Sequence, residues 1–566
     1  MSDALTYFSE AYRYCEQVVA GDVLACELTR LACQRQLDDV VKLHFPYHFD
    51  IEAARRACAF LETLPHIEGE LASRGELLKL QPWQLFLVTT LFGWIETATG
   101  RRRFRSTYWE VSRKNGKSFI ASGLALYMLV ADREAGAQTY TAATKRDQAK
   151  VVFDLAREMV LRCKESGVEW SRGVAVYQHS LNVPGTSSKM RALDAQGKRQ
   201  DGLNPHAVIN DELHAWEKRA LYDVLKSAMG ARTQPLMVNI TTAGFNFAGV
   251  CYEQRGYGIK VLERTVTDET FFPAIWTLDK DDDPWDPANW PKANPNWNVS
   301  VYPFAMEAEA RSAKEIPGEQ AGFLTKRLNI WCNAAAPWMD MVRYNRCGDQ
   351  KLRIEDFVGA HCWLGADIAS KRDLSCLALV FRDQKAGVAQ WYNFVRHYLP
   401  EFAVLNSPNA GHYDGWVRAG YLTVTPGAII DVDRLEQDTD EIASKFHLRE
   451  VAYDPGHNST QYGLHMAQRG LIAIEVRPTV LNFSDPMKWW EGYVLASRWH
   501  HNGDPVMTWM VSNVCVKRDQ KGGIFPRKDH EDRKIDGPVA TIMALNRAHA
   551  AEGAWSIYDS RGVVTV

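Results

Sequence analysis

Short apolar runs alternate with helical patterns between residues 107 and 244, and this alternation limits the possible folds more than any other feature. Runs typical of buried strands occupy residues 107–111, 137–144, 206–210 and 235–244. The segment 117–132, directly after the first run, has a helical pattern. Alternating strands and helices predict an α/β fold with a parallel sheet covered by helices. Because ligands bind beyond the carboxyl ends of such strands, we expect a binding site where these runs end.

Three further apolar runs in the second half of the chain are joined by short, turn-like segments. They occupy residues 362–370, 374–382 and 389–398. Short joins of this kind are typical of antiparallel strands. Because 566 residues exceed what one hydrophobic core usually serves, we expect two large domains or three smaller ones. We predict a helical region of unclear role at 1–75, a first α/β domain at 76–335, a linker at 336–350 and a second domain at 351–566.

The bulk composition excludes several classes of protein. A formal net charge of −3 argues against a protein that only coats nucleic acid, but it is compatible with local basic tracks. The eleven cysteines include no Cys-x-x-Cys pair, so we expect reduced, mostly buried thiols rather than zinc ribbons. The chain has no run of 18 apolar residues and no signal-like N-terminus. We therefore expect a soluble, cytoplasmic protein without membrane association.

A Gly-Lys-Ser sequence at Gly116, Lys117 and Ser118 falls between the first predicted strand and the predicted helix. A phosphate-binding loop, or P-loop, needs backbone N–H groups around phosphate oxygens, a lysine charge and a hydroxyl that reaches Mg²⁺. Val111 stands where the usual first glycine would be, and Arg113 can replace lost donors by forking two phosphate oxygens. This context favours an ATP and Mg²⁺ site over a basic surface turn.

Polar residues at the ends of the third and fourth predicted strands extend this predicted site. Asp211 and Glu212 follow one run, where an aspartate can hold magnesium through water and a glutamate can polarise the attacking water. Acids are also common at helix starts, so the pair alone is ambiguous. Thr241 and Thr242 end the following strand, where they either sense the γ-phosphate or serve simply as β-branched strand residues.

Three aspartates in the second half occupy positions that suit a metal-dependent nuclease. Asp367 lies in the first antiparallel strand, Asp454 ends a later apolar run, and Asp536 opens a helical segment. Two Mg²⁺ or Mn²⁺ ions need several hard oxygen ligands at one place. Aspartates in this order on these elements predict an RNase H-like nuclease domain. Asp373 and His457 are interpreted as a turn residue and a loop histidine.

Together these features resemble the large terminase subunits of tailed bacteriophages over most of the chain, from about Leu78 to Asn546. The resemblance is carried by LQPWQ (80–84), SRKNGKS (112–118), GLNPHAVINDELHAW (202–216), ITTAG (240–244), RLNIW (327–331), SDPMKWWEG (484–492), MVSNVCVK (510–517) and KIDGPVATIMAL (534–545). A P-loop without its first glycine is ordinary in that family. The resemblance implies a RecA-like (ASCE) P-loop ATPase domain followed by an RNase H-like nuclease domain with a mixed sheet.

The resemblance also implies roles for the candidate residues of the ATPase domain. Gln84, by itself an ordinary helix-start glutamine, matches the adenine-reading glutamine of the family, and Arg113 matches its P-loop arginine. The phosphate grip matches Gly116, Lys117 and Ser118. Asp211 matches the magnesium-holding acid of the family, and Glu212 matches its water-activating acid. Thr241 and Thr242 match the motif that couples hydrolysis to DNA movement.

The function implied by the resemblance is an ATP-driven motor that moves viral double-stranded DNA into a procapsid and cuts concatemeric DNA. Asp367, Asp454 and Asp536 match the nuclease metal ligands. Implied cofactors are ATP and Mg²⁺, with Mn²⁺ as an alternative at the nuclease. Implied partners are double-stranded DNA, the portal protein, the terminase small subunit and further copies in a ring, expected to be a pentamer. Arg199 is a candidate for the arginine supplied to a neighbouring subunit.

Two other functions are compatible with these residues. One is a helicase-like DNA repair ATPase with an accessory nuclease, which would favour forks or single strands and need no portal. The other is a binding protein whose P-loop is a relic and no longer hydrolyses ATP.

Overall fold

The computed structural model describes most of the chain in two units. The described residues are 2–143, 146–194, 202–216, 219–247, 249–332, 338–369, 373–385, 387–407, 409–456, 458–519, 522–528 and 532–552. The first unit comprises residues 1–315 and 322–332, and the second comprises residues 316–321 and 333–566.

The first unit is a helix-covered sheet. Its helices are α1 (Ser2–Ala20), α2 (Glu27–Val41), α3 (Ile51–Leu61), α4 (Gly69–Ser73), α5 (Pro82–Gly93), α6 (Lys117–Val130), α7 (Arg146–Glu165), α8 (Glu169–Arg172), α9 (Ala220–Ala228), α10 (Val250–Leu262) and α11 (Pro303–Glu315). Its strands are β1 (Tyr47–Phe49), β2 (Trp94–Glu96), β3 (Ser106–Glu110), β4 (Gln138–Ala143), β5 (Ala175–Val176), β6 (Leu181–Val183), β7 (Ser188–Asp194), β8 (Ala207–Asp211), β9 (Leu236–Thr241) and β10 (Phe271–Ile275). Helix α12 (Pro317–Leu328) follows.

The large sheet of this unit has the strand order β10-β3-β9-β8-β4-β7-β6-β5. Every pair from β10 to β7 is parallel, and only β5 and β6 at one edge run antiparallel. The predicted parallel, helix-covered sheet is therefore confirmed. Both faces of the sheet are covered, so residues on both sides of its central strands are buried. This burial explains why the sequences of these strands are continuous apolar runs.

The N-terminal helices contribute to the core of the same unit. Residues of α1, α2 and α3 join those of α5 and α6 in one apolar cluster. Gly123 in α6 allows a close approach, because a Cβ there would lie 2.5 Å from Leu61 Cδ2 of α3. The region 1–75, whose role the sequence left open, thus packs directly on the helix that follows the P-loop.

The second unit contains a mixed sheet. Its helices are α13 (Met341–Arg346), α14 (Glu401–Asn406), α15 (Ala410–Arg418), α16 (Val432–Lys445), α17 (Asn458–Gln468), α18 (Val480–Leu495), α19 (Pro505–Asn513) and α20 (Asp536–Glu552). Its strands are β11 (His361–Asp367), β12 (Ser375–Lys385), β13 (Val388–Pro400), β14 (Leu422–Thr425), β15 (His447–Tyr453), β16 (Ala473–Glu475), β17 (Trp499–His501), β18 (Cys515–Arg518) and β19 (Ile524–Arg527). Helix α13 falls inside the segment expected to be a linker, and its Tyr344 is buried.

The sheet of the second unit has the order β14-β13-β12-β11-β15-β16, with β17 paired to β13. Strands β11, β12 and β13 are antiparallel, as predicted, whereas β15 is parallel to β11. Helix α20 packs on β11 and β12. Gly365 makes this contact possible, because a Cβ there would lie 1.9 Å from the backbone oxygen of Ala540.

All eleven cysteines are free thiols, and all but Cys332 are buried, which agrees with the expected reduced state. Across the part of the chain that the structure describes, no helix combines the length and apolarity needed to cross a membrane.

Candidate active sites

The candidate residues of the first unit meet at one edge of its sheet. Strands β3, β9 and β8 lie side by side and are parallel, so their carboxyl ends share this edge. Glu110, which precedes the P-loop, pairs in register with Thr241, and Asp211 pairs with Ile240. The topology therefore brings together residues that are about a hundred positions apart in the sequence.

The P-loop curls tightly between β3 and α6. Gly116 precedes the helix in the left-handed conformation, with φ of 78°, which a glycine adopts without strain. Lys117 is buried, and its Nζ donates to the Ser112 carbonyl oxygen at 3.1 Å. Burial lowers the pKa of Lys117, while the charges of Glu212 and Asp211 oppose this shift. A cation and free N–H groups at a helix start form a site for phosphate.

Three buried asparagines hold the P-loop in place. Asn115 Nδ2 donates to Asn294 Oδ1 at 3.1 Å, and the Asn296 N–H donates to Asn115 Oδ1 at 2.9 Å. Trp83 Nε1 donates to Asn296 Oδ1 at 2.6 Å. Side-chain bonds therefore support the shape of a loop in which Val111 replaces the usual glycine.

Gln84 lies beside this loop, and Arg113 is part of it. Gln84 is buried in the first turn of α5, and a Cβ on Gly116 would lie 3.7 Å from its Nε2. Arg113 is exposed, and its charge acts on Glu212. The structure thus places Gln84 beside the glycine of the P-loop and Arg113 near the acids.

Asp211 ends β8, and Glu212 is the next residue along the chain. Ser118 Oγ donates to Asp211 Oδ2 at 3.3 Å, which links the P-loop helix to the strand end. Glu212 adopts φ of 49°, and its N–H donates to Asp211 Oδ1 at 3.0 Å. Burial and the charge of Glu212 raise the pKa of Asp211 to about 6, although Lys117 opposes this.

Glu212 is held in its ionised form by its neighbours. Burial acts to raise its pKa, but the adjacent His214 imidazole and the charge of Lys117 outweigh burial and lower the pKa to about 2. His214 Nδ1 lies 3.0 Å from Glu212 Oε2. Two adjacent acids with oppositely shifted pKa values are typical of functional sites.

Thr241 and Thr242 are buried at the end of β9 and contact His214. Thr241 Oγ1 accepts from the His214 backbone N–H at 3.0 Å and donates to the Thr242 carbonyl oxygen at 2.8 Å. Thr242 Oγ1 donates to the Ala243 carbonyl oxygen at 3.1 Å. Arg199, the candidate for an arginine supplied to a neighbour, lies outside the described residues.

The three aspartates of the second unit also meet at one place. Asp367 ends β11, Asp454 follows its parallel neighbour β15, and Asp536 opens α20, which packs on β11. Burial, together with the charges of Asp536 and Asp454, raises the pKa of Asp367 well above its usual range. Burial and the charge of Asp373 raise the pKa of Asp536 to about 7.

The first turn of α17 ties the loop that carries Asp454 to the end of β11. Asn458 Nδ2 donates to the Ala369 carbonyl oxygen at 3.2 Å, and Ser459 Oγ donates to the Ile368 carbonyl oxygen at 3.5 Å. These bonds keep the two strand ends together. His457 lies outside the described residues.

The second site fits a divalent cation in its chemistry. Asp536 Oδ2 is buried without a hydrogen-bond partner, and hard carboxylate oxygens are the ligands that Mg²⁺ and Mn²⁺ prefer. The described residues contain no group of three His, Cys, Asp or Glu side chains already at ligand spacing. Asp536 and Asp454 are thus close enough to raise the pKa of Asp367, although the three carboxylates are not at metal-ligand spacing.

Several residues of these sites were not assigned from the sequence. His214 stands three positions after Asp211, and this spacing is the only signal in the sequence that could have identified it as a residue of the site. Asp373 was interpreted as a turn residue, yet it forms an ion pair with Lys534 at 2.8 Å and acts on Asp536. Asn294 lies in a Pro- and Asn-rich segment that predicts only a loop.

These two arrangements define a class of protein. A parallel sheet with a P-loop and strand-end acids is a RecA-like P-loop ATPase domain, and a mixed sheet with three converging aspartates is an RNase H-like nuclease domain. The family model described as "Terminase large subunit, ATPase domain" matches residues 82–260. The model described as "Terminase large subunit, endonuclease domain" matches residues 265–552.

Several known proteins are similar to this chain. Protein YmfN of Escherichia coli (strain K12) is 35% identical over 377 residues, which cover 65% of this chain and 83% of that protein. The terminase large subunit of Enterobacteria phage HK97 is 25% identical over 510 residues, covering 87% and 95%. The crystal structure of the HK97 large terminase has a TM-score of 0.43 at 24% identity, covering 87% of this chain and 99% of that one. The chain belongs to the terminase large subunit family, with the ATPase and endonuclease domains of that family.

Proposed function

We propose that the chain is an ATP-driven motor that translocates viral double-stranded DNA into a procapsid and cuts concatemeric DNA. The observation that carries this proposal is the presence of both sites in one chain, a P-loop beside two acids with opposite pKa shifts and a separate group of three aspartates. A repair ATPase is not favoured, because both halves of the chain match terminase domains.

In the ATPase site, we assign ATP contacts to residues around the P-loop. Gln84 reads the adenine, Arg113 contacts phosphate oxygens, and the grip on the phosphates consists of Gly116, Lys117 and Ser118. Ser118 and Asp211 would hold Mg²⁺. When bound, this ion would neutralise part of the charge of the phosphates. Lys117 leaves the Ser112 carbonyl oxygen to reach the phosphates, since its flexible stem allows this move.

Hydrolysis then depends on Glu212 as general base. Its carboxylate is ionised near neutral pH, so its oxygens can accept a hydrogen bond from the attacking water and take its proton as the bond to phosphorus forms. The water oxygen bonds to the γ-phosphorus, the bond to the bridging oxygen breaks, and ADP leaves with the electron pair. Thr241 and Thr242 couple the release of phosphate to movement of a DNA-binding surface. Arg199 of one copy completes the ATPase site of the neighbouring copy.

In the nuclease site, Asp367, Asp454 and Asp536 hold Mg²⁺, with Mn²⁺ as an alternative. The bound ions supply an activated water for attack on the DNA phosphodiester. The orphaned Asp536 Oδ2 and the mutual repulsion of the carboxylates favour uptake of cations, because positive charge relieves both.

We assign the ATPase domain to 76–335 and the nuclease domain to 351–566, with a linker at 336–350 and an accessory helical region at 1–75. The proposed partners are duplex DNA, a portal protein, a small subunit and four further copies of the chain in a ring, acting in the host cytoplasm. Duplex binding is expected to be sequence-tolerant and to weaken with salt, as phosphate contacts do. Packaging of linear duplex DNA by the purified protein with procapsids and ATP tests this assembly.

Lys117→Ala and Glu212→Ala test the ATPase assignment. Each is expected to abolish ATP turnover, whereas the exposed controls Lys164→Ala and Glu165→Ala in α7 are expected to leave it unchanged. Turnover by either site variant would overturn the motor assignment. Absence of turnover in the unmodified protein would favour the binding protein with a relic P-loop.

Asp454→Ala tests the nuclease assignment. The variant is expected to lose metal-dependent cutting of plasmid DNA and to keep ATP hydrolysis. Asp433→Ala, an exposed position in α16, serves as the matched control. Persistent cleavage by Asp454→Ala would show that the three-aspartate site is wrong.

A further inference from the structure

A row of three buried polar side chains connects β12, β13 and the start of α19 in the second unit. Cys376 Sγ lies 3.4 Å from His397 Nδ1, and His397 Nε2 lies 2.8 Å from Asp504 Oδ2. Cys376 pairs in register with Asp367, so the row begins beside the first of the three nuclease aspartates. The side chains of His397 and Asp504 are 0% and 6% exposed, so they are closed to a substrate and act only through their neighbours.

Asp504 is the N-cap of α19, and its two carboxylate oxygens have different partners. Oδ1 accepts from the N–H groups of Val506 and Met507 at 2.8 and 3.2 Å, which satisfies the first turn of the helix. Oδ2 faces His397, and because a carboxylate can only accept, Nε2 carries the hydrogen of this bond. The bond therefore fixes the start of α19 against β13, and its loss would leave a buried carboxylate oxygen without a partner.

Helix α19 in turn supports the first turn of α20, where Asp536 stands. The N–H of Gly537 donates to Met510 Sδ at 3.1 Å. A Cβ at Gly537 would lie 2.8 Å from Met507 Sδ, so glycine permits this contact, and the His397 Cε1 lies 3.6 Å from the same position. The start of α20 therefore rests on α19 and lies directly beside the His397 ring.

We propose that His397 is a positioning residue that holds Asp536 close enough to Asp367 for the two to bind divalent cations. It does so through Asp504 and α19, which supports the start of α20. The inference rests on the proposed nuclease function. Like charges on buried carboxylates repel each other, so a metal-binding arrangement needs support from groups that do not themselves touch the metal.

Two substitutions at His397 in the full-length protein test this role. Glutamine carries an amide N–H at the reach of the imidazole Nε2, whereas methionine has the same reach and no donor. We expect His397→Met to raise the Mn²⁺ concentration for half-maximal plasmid cleavage by about tenfold, within the range usual for loss of a group that supports metal ligands. Cleavage at saturating Mn²⁺ and ATP turnover are expected to be unchanged. His397→Gln is expected to keep the Mn²⁺ dependence of the unmodified protein.

Binding of Mn²⁺ to the nucleotide-free protein gives a measurement that does not depend on cleavage. Electron paramagnetic resonance of the free ion is expected to show an affinity lower by about tenfold in His397→Met. Asp454→Ala supplies the baseline for Mn²⁺ bound elsewhere. His447→Met, at the exposed start of β15, is the control and is expected to bind as the unmodified protein does.

The outcomes separate this role from a purely structural one and from failure of the nuclease assignment. An unchanged Mn²⁺ dependence in His397→Met, an equal loss in the Gln and Met variants, or a lower maximal cleavage with unchanged half-saturation would each overturn the proposal. Plasmid cleavage by Asp454→Ala would instead overturn the nuclease site, and the inference with it. If His397→Met does not fold, Asp504→Ser replaces it, because serine still caps α19 but does not reach His397. A normal Mn²⁺ dependence in that variant would contradict the proposal.

Discussion

At the scale of single residues, the two adjacent acids at the end of β8 show how neighbouring groups set the pKa of a carboxyl group. Asp211 is buried and is repelled by Glu212, so its pKa rises to about 6. Glu212, one residue further on, lies beside the His214 imidazole and within reach of the Lys117 charge, so its pKa falls to about 2. An ionised carboxylate can accept a hydrogen bond from water, and a buried carboxyl group whose charge is costly is suited to face a cation.

Asn115→Ala is expected to weaken ATP binding through the shape of the P-loop. The Asn115 side chain bonds to the Ser112 and Arg113 carbonyl oxygens as well as to Asn294 and Asn296. Leaving buried partners unsatisfied costs about 1–3 kcal/mol, and about 1.4 kcal/mol corresponds to a tenfold change in affinity. We therefore expect KM for ATP to rise by roughly tenfold in steady-state assays.

The matched control for this prediction is Asn289→Ala, a half-buried asparagine outside the P-loop whose side chain donates to the Asp283 carbonyl oxygen. It is expected to leave KM unchanged. An Asn115→Ala protein with the KM of the unmodified chain would show that the asparagines do not shape the loop.

At the scale of elements, the contact of α20 with β11 sets the distance between two of the nuclease aspartates. Asp367 ends β11, and Asp536 opens α20. The helix and the strand approach closely at Gly365, where no Cβ can be accommodated against the backbone of Ala540. Because Gly365 has only a hydrogen atom in place of a side chain, α20 can approach β11, and this approach sets the distance between the two carboxylates.

Gly365→Ala is expected to separate these elements and to abolish plasmid cleavage. A Cβ 1.9 Å from a backbone oxygen requires the helix to move, and overpacking of this kind costs typically about 1–3 kcal/mol or more. ATP hydrolysis is expected to persist, because the P-loop lies in the first unit. Cleavage and ATP turnover measured on the same preparation check both statements.

Gly492→Ala is the control at this scale, because nothing lies within 4 Å of a Cβ at that position in α18. Alanine there is expected to stabilise the helix by up to about 1 kcal/mol. Full nuclease activity in Gly365→Ala would mean that α20 does not set the geometry of the site.

At the scale of the whole molecule, the nuclease carboxylates make stability depend on pH and metal. The native pKa of Asp536, about 7, lies above the value of about 3.9 expected for an unfolded chain. Between these values the native state binds more protons than the unfolded state. The free energy of unfolding contributed by this group therefore falls as pH rises through that window.

We expect the melting temperature of the metal-free protein to fall more between pH 5 and pH 8 than that of Asp536→Asn, which has no titrating group at this position. Calorimetry in EDTA measures this difference. Added Mg²⁺ at pH 8 is expected to raise the melting temperature of the unmodified protein more than that of the variant. Parallel pH dependence in the two proteins would contradict the predicted repulsion.

Much of the fold could be predicted from periodicity and residue type. The runs at 107–111 and 206–210 became β3 and β8 with bounds shifted by one residue, because buried strands need continuous apolar residues. The helix expected at 117–132 became α6, which ends two residues earlier. The order of the strands in the sheets was not accessible in this way, since periodicity carries no information about lateral neighbours.

The sequence by itself determined the two classes of domain, the P-loop and the candidate acids, because each depends on local pattern or on residue type at a strand end. Only the tertiary structure decided what surrounds them. It placed Asn294 against Asn115 and His214 between Glu212 and Thr241, and it turned Asp373 toward Lys534. Such contacts join residues up to 179 positions apart, and they arise from how the strands align and the chain returns, which no local pattern encodes.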